Sequence, residues 1–205
     1  MFDFSGNIYF SIADAKCKKC GEKTTFNINL LKIHKPHTQW LDSFPAFYTK
    51  EWILNRYIVC EKCGTVVIED MRSETHPNLI KPTGNKEKDI LSAMEKLEDW
   101  YSLACYYEIR AREESENDED KFLMYAEKYL NTPTSKYDKE YMIRWDLLRR
   151  MGKFEEAKQY YKEHKKSIEN YGLAARSIAE SIKEHIKICS IVRITHPTQR
   201  DQLDI

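Results

Sequence analysis

Four of the six cysteines stand in two short units, Cys17-Lys18-Lys19-Cys20-Gly21 and Cys60-Glu61-Lys62-Cys63-Gly64. Two residues between paired cysteines let both sulfurs point at one ion from a tight turn. The glycine that follows tolerates positive φ, so backbone N–H groups can turn back toward the sulfurs. Four thiolates from two such turns are the donor set of one tetrahedral zinc, and a closed set of four leaves no position open for water or substrate. The expectation is therefore a structural zinc held by Cys17, Cys20, Cys60 and Cys63. Lys16, Lys18, Lys19, Lys23 and Lys62 lie beside the cysteines and would offset part of the negative charge of a four-thiolate zinc. Two other chemistries use the same residues. A lone CxxC serves as a redox pair at a strand-to-helix turn, but no helical pattern follows either unit. Disulfides need an oxidising compartment, and nothing in the chain directs export.

No other constellation carries chemistry. There is no Ser/His/Asp pattern, no Gly-rich phosphate loop and no HExxH, so no enzyme is expected. His34 and His37 have the spacing of a metal pair, but His-x-x-His alone is a weak signal and surface or hydrogen-bonded histidines are the reading taken. Cys105 and Cys189 fall in helical patterns and read as small buried residues. Net charge is zero, with 33 Lys+Arg against 33 Asp+Glu. Residues 1–84 carry 11 Lys+Arg and 9 Asp+Glu, so neither half is a basic arm that would draw the chain to nucleic acid or an anionic membrane. No stretch reaches the ~18–20 apolar residues of a membrane span. Met1–Gly6 has neither a basic start nor a long apolar run, so a cytoplasmic protein is expected.

The cysteine units need elements to hold them. Ile8, Phe10 and Ile12 alternate before the first unit, and Phe26, Ile28 and Leu30 after it. Arg56 to Val59 leads into the second unit and Thr65 to Ile68 leaves it. Each unit thus reads as the turn of a small hairpin, the plan of a zinc ribbon. Such a ribbon buries too little area to fold alone, and the metal supplies the missing stability. The 39 residues between Cys20 and Cys60 include Trp40, Phe44, Phe47, Tyr48 and Trp52, read as an aromatic loop packed over its own ribbon. Residues 71–88 look like a boundary, broken by Pro77, Pro82 and Gly84.

Beyond that boundary the apolar period becomes helical. One long helix is expected over 86–113. A second carries Phe122, Tyr125, Ala126, Tyr129 and Leu130 and stops before Pro133. Ser135 and Asp138 resemble a capping box for a third helix with Tyr141, Trp145 and Leu148. Gly152 ends it, a fourth starts at Phe154, and a fifth runs from about Leu173 to Cys189. The fold class expected is α+β: a zinc-ribbon domain over 1–84 and an all-α helical domain over 85–205.

The run from Trp145 to Tyr161 looks like a tetratricopeptide helix pair. Gly152 allows the tight turn, Phe154 plugs the hairpin, and Ala157 lets the helices approach closely. The whole chain resembles an uncharacterised bacterial family, the domain of unknown function numbered 2225. The segment Asn55 to Gly64, the run Trp100 to Tyr107, the run Leu148 to Tyr161 and the run Ala174 to Ala179 carry the resemblance, which covers roughly residues 14–188. Thr65 stands where that family has an aromatic residue, and Arg56 replaces its proline. The resemblance implies a paired-CxxC ribbon followed by tetratricopeptide-like helices and supplies no activity.

The function expected from these readings is that of a zinc-stabilised adaptor. Its helical repeats and aromatic loop would present Tyr141, Trp145, Tyr161, Trp40 and Trp52 to a protein or peptide partner. The alternative is a zinc-ribbon nucleic-acid binder, using Lys16, Lys18, Lys19, Lys23, Lys32 and Lys35 beside stacking aromatics.

Overall fold

The computed structural model describes residues 10–17, 19–29, 38–40, 50–68, 74–113, 116–134, 137–187 and 191–193. The alternating stretches around the first cysteine unit form β1 (Phe10–Lys16) and β2 (Lys23–Asn29), antiparallel from Phe10↔Asn29 to Lys16↔Lys23. Ile8 and Leu30, at the outer ends of the expected alternation, lie outside the described residues, as do Phe44, Phe47 and Tyr48. A short strand β3 (Thr38–Trp40) follows, then a helix α1 (Lys50–Leu54) that the aromatic-loop reading did not contain. The second unit joins β4 (Tyr57–Val59) to β5 (Val66–Ile68). Six α-helical segments come next: α2 (Lys86–Lys96), α3 (Trp100–Glu113), α4 (Glu119–Leu130), α5 (Asp138–Arg150), α6 (Phe154–Glu169) and α7 (Leu173–Lys183). The fold is α+β, with small antiparallel sheets and a predominantly helical remainder.

The boundary expected over 71–88 is not a linker where it is described. Glu74–His76 forms β6 and pairs antiparallel with β5, from Val66↔His76 to Ile68↔Glu74. The Ile80 N–H then donates to the Gly64 carbonyl at 3.3 Å, and the Ile80 side chain is buried. Asp89 accepts from both the N–H and the hydroxyl of Thr83, while the Asn85 side chain caps α2 by accepting from the Lys88 N–H. Turn-forming residues mark where a chain bends, and here the bends are packed.

The single helix expected over 86–113 is two. At its end α2 closes with the Asp99 N–H donating to Met94 C=O and the Glu98 N–H donating to Glu95 C=O, with Glu98 in the left-handed region at φ 55°. That is a Schellman closure with a non-glycine residue at the position that prefers glycine. Asp99 then caps α3 through its carboxylate, which accepts from the Ser102 N–H and hydroxyl and from the Tyr57 hydroxyl. Apolar periodicity runs straight through this corner, and so reads as continuous. The capping box expected at Ser135 lies outside the described residues. Tyr137 occupies the cap position of α5 and makes no side-chain cap bond.

The described residues fall into two compact units. One comprises those up to 29 and those from 50 to 129; the other comprises 38–40 and those from 130 to 193. The chain passes from the first unit to the second between Tyr129 and Leu130, and within the first unit β4 packs on α2 and α3 packs on both α1 and α2. In the second unit, Met142, Trp145 and Leu148 from α5 meet Ala157, Tyr161 and Ile168 from α6 and Ala175, Ile178, Ala179 and Ile182 from α7. These spacings of three and four put one apolar stripe per helix into a shared core. Gly152, at φ 78°, makes the turn between α5 and α6 as the sequence led one to expect. Strand β7 (Ile191–Arg193) pairs antiparallel with β3. The fifth helix is shorter than expected, and Cys189 lies outside the described residues.

Candidate metal centre

Both cysteine units fold to the same local pattern. In the first, the Gly21 N–H donates to Cys17 C=O at 2.9 Å and the Cys17 N–H to Glu22 C=O at 2.7 Å. In the second, the Gly64 N–H donates to Cys60 C=O at 2.8 Å and the Cys60 N–H to Thr65 C=O at 2.9 Å. The pattern closes only if the glycine takes a left-handed φ, 73° at Gly21 and 65° at Gly64. Gly64 has a second reason to be glycine. A Cβ there would sit 1.9 Å from the Ile80 carbonyl oxygen, whereas at Gly21 the nearest atom would be Lys16 Cε at 4.0 Å.

Each turn is carried at the end of its own two-stranded pair, and both lie in the first unit. The structure brings together all four expected ligands: the Cys17, Cys20, Cys60 and Cys63 sulfurs lie within 4.8 Å of one another. The Cys17 and Cys63 sulfurs are 3.7 Å apart and those of Cys20 and Cys60 are 3.5 Å apart. Four sulfurs at ~2.3 Å from one ion have tetrahedral edges of about 3.8 Å, so these two edges fit a shared metal. They are far too long for disulfides, and the thiols are free. Cys60 is buried and the other three are half-buried.

Hydrogen bonds and burial set Cys17, Cys20 and Cys63 apart. At Cys63 the Thr65 hydroxyl, 3.1 Å from the sulfur, is the main cause that pushes the thiol pKa down to about 6. At Cys17 the Cys20 N–H leads the causes that lower it. At Cys20 the Glu22 N–H pulls downward, but burial and the neighbouring sulfurs outweigh it and the thiol is pushed up to about 12. Four sulfurs this close cannot all ionise without a cation among them. Of the expected lysines, Lys62 pairs with Glu22 at 3.5 Å from one knuckle to the other, with both side chains substantially exposed. Such a pair contributes little. Lys16, Lys19 and Lys23 are exposed, and Lys18 lies outside the described residues.

The residues expected to meet a partner are placed differently. Trp145 is fully buried and Tyr161 nearly so, with their rings stacked at 5.3 Å between α5 and α6. Both are core residues, because their helical positions face the neighbouring helix. Tyr141 is half-buried against His164, ring centroids 4.5 Å apart. For Trp40 and Trp52 the backbone is described, in β3 and α1, but their side chains are not. His34 and His37 lie outside the described residues.

Buried arginines of α5 also escaped the sequence reading. Arg144 donates to Leu130 C=O at 2.7 Å and Thr132 C=O at 2.9 Å, while pairing with Glu140. Arg149 pairs with Asp146 at 2.8 Å and donates to the carbonyls of Ile186 and Lys187, fastening the chain beyond α7 to α5. Neither arginine stands out in the sequence: a carboxylate three or four residues before it is common on an exposed helix, and the carbonyl acceptors are remote in the chain. Thr65 escaped as well: a hydroxyl two residues after a cysteine has no pattern of its own.

Among the described residues, no helix is long and apolar enough to cross a membrane. Comparison of the chain with protein-family models, with curated proteins and with solved structures finds no match.

Proposed function

We propose that the chain is a zinc-stabilised protein-interaction protein of the cytoplasm, built as a zinc ribbon joined to tetratricopeptide-like helices and similar in plan to the domain of unknown function numbered 2225. The observation that carries the reading is the cluster of four cysteine sulfurs from two knuckles with matching backbone hydrogen bonds. A closed four-thiolate set supports a structural zinc, because no coordination position remains for substrate. Thiolates also select zinc over harder ions. The α5–α6 pair, with its Gly152 turn and buried Ala157, supports the tetratricopeptide comparison. Among the described side chains of the aromatic set proposed to meet a protein or peptide, Tyr141 is the half-exposed one. The competing nucleic-acid reading draws on Lys16, Lys19 and Lys23, exposed around the first knuckle.

Two measurements test the proposal. Metal analysis of the purified full chain is expected to find one zinc per chain, and a metal-free, folded protein would overturn the zinc reading. Affinity capture of the tagged chain from its native cells, with and without nuclease, separates the partner classes. A protein retained after nuclease supports the adaptor, whereas loss of every partner on nuclease treatment moves the proposal to nucleic acid.

A further inference from the structure

The two knuckles share their backbone hydrogen bonds and differ in the side chain that follows the glycine. The position after the glycine is Glu22 in the first, exposed and turned to Lys62 at 3.5 Å. In the second it is Thr65, 5% exposed, with its hydroxyl oxygen 3.1 Å from the Cys63 sulfur. The oxygen is held from its other side, because the Asn78 N–H reaches it at 3.5 Å. A hydroxyl has one proton to donate and two lone pairs to accept with. With a lone pair turned to Asn78, the proton is free for the sulfur. A metal-bound thiolate has no proton of its own, which fixes the direction of the bond. Thr65 is itself anchored, since its carbonyl accepts the Cys60 N–H at 2.9 Å and the neighbouring Gly64 carbonyl accepts the Ile80 N–H. The stretch 74–80 thus braces the knuckle through two backbone donors.

We propose that Thr65 is a positioning residue for the metal centre, whose hydroxyl donates a hydrogen bond to Cys63 Sγ and so holds that thiolate in place and draws negative charge from the four-sulfur site. The inference rests on the metal-centre reading above and goes beyond it by assigning a residue that no cysteine spacing announces. A hydrogen bond of this kind lowers the energy of the sulfur lone pair. Its removal leaves the sulfur a stronger donor to the metal in energy but a worse-positioned ligand, and the lost outer partner weakens metal retention.

The test uses the full chain as wild type, Thr65→Val, Thr65→Ala and Thr65→Ser. Each is loaded with cobalt(II), and zinc(II) affinity is measured separately by competition with a chromophoric chelator. Thr65→Val and Thr65→Ala are expected to move the sulfur-to-cobalt charge-transfer band to longer wavelength and to weaken zinc binding by about tenfold or more. Thr65→Ser, which keeps the hydroxyl, is expected to retain the wild-type band and most of the affinity. Thr65→Ala places no methyl against the sulfur and carries the test alone if Thr65→Val does not fold. An unchanged band and affinity in the variants lacking the hydroxyl would overturn the proposal, as would an equal loss in Thr65→Ser, which would make the role one of packing. Should the wild-type chain itself bind no cobalt or zinc through its thiols, the metal-centre reading fails rather than the role of Thr65 within it.

Discussion

Gly21 and Gly64 occupy equivalent turns, yet substitution separates them. Alanine at Gly21 meets nothing nearer than Lys16 Cε at 4.0 Å and carries only the cost of a left-handed φ, about 1–2 kcal/mol. Alanine at Gly64 carries that cost and also drives its Cβ into the Ile80 carbonyl at 1.9 Å, so backbone must move. Gly64→Ala is expected to lower the melting temperature and the metal content well beyond Gly21→Ala, as read by calorimetry and metal analysis on the two variants side by side. Buried charge makes the second residue-scale case. Asp146 and Arg149 are fully buried, and Arg150 lies beside the same carboxylate at 3.8 Å. Asp146→Ala strands positive charge in the core and is expected to destabilise by about 3–5 kcal/mol, measured as a shift in denaturant midpoint at unchanged slope.

At the scale of elements, the helix ends decide more than the helix interiors. α2, α5 and α7 all close by the same paired N–H donation, with Glu98, Gly152 and His185 in the left-handed position. Only Gly152 is the residue that geometry favours. His185 has a packing reason to remain, its ring 4.8 Å from that of Phe154. Glu98 is exposed. Glu98→Gly is therefore expected to stabilise the first unit by about 1 kcal/mol, whereas Glu98→Ala, still left-handed, should leave stability near wild type. Chemical denaturation of the two variants distinguishes them. In the α5–α6 pair the determining contact is Trp145 on Tyr161. Trp145→Ala opens a cavity at a fully buried site, with an expected loss of about 3–5 kcal/mol. A partner-binding residue on a surface would instead tolerate the change.

For the whole molecule, the metal is expected to act on the unit that holds it. β1 and β2 form a two-stranded pair, which is marginal in water without further support. Chelation of a structural zinc removes binding free energy that is also folding free energy. Hydrogen exchange before and after chelation is expected to show amide protection lost in β1, β2 and the two knuckles, while amides at Ile178 and Ile182 in the core of the second unit stay protected. Uniform loss across both units would show that the metal stabilises the chain globally.

Local features were legible in the sequence because local chemistry decides them. Cysteine spacing with a following glycine gave the two turns, period-two alternation the flanking strands, and period-three-and-four apolar stripes with Gly152 the α5–α6 hairpin. What tertiary structure alone decided are the features whose partners are remote in the chain. Burial of Trp145 and Tyr161 depends on which helix covers them, not on their type. The corner at Leu97–Asp99 interrupts no apolar period and shows only in its backbone bonds. β6 is a strand because β5 offers it an edge, and its own three residues carry no alternation long enough to read. The cross-knuckle sulfur contacts and the Thr65 hydroxyl on Cys63 arise only when the two hairpins meet. A spacing rule states which atoms can converge, and long-range packing determines which of them do.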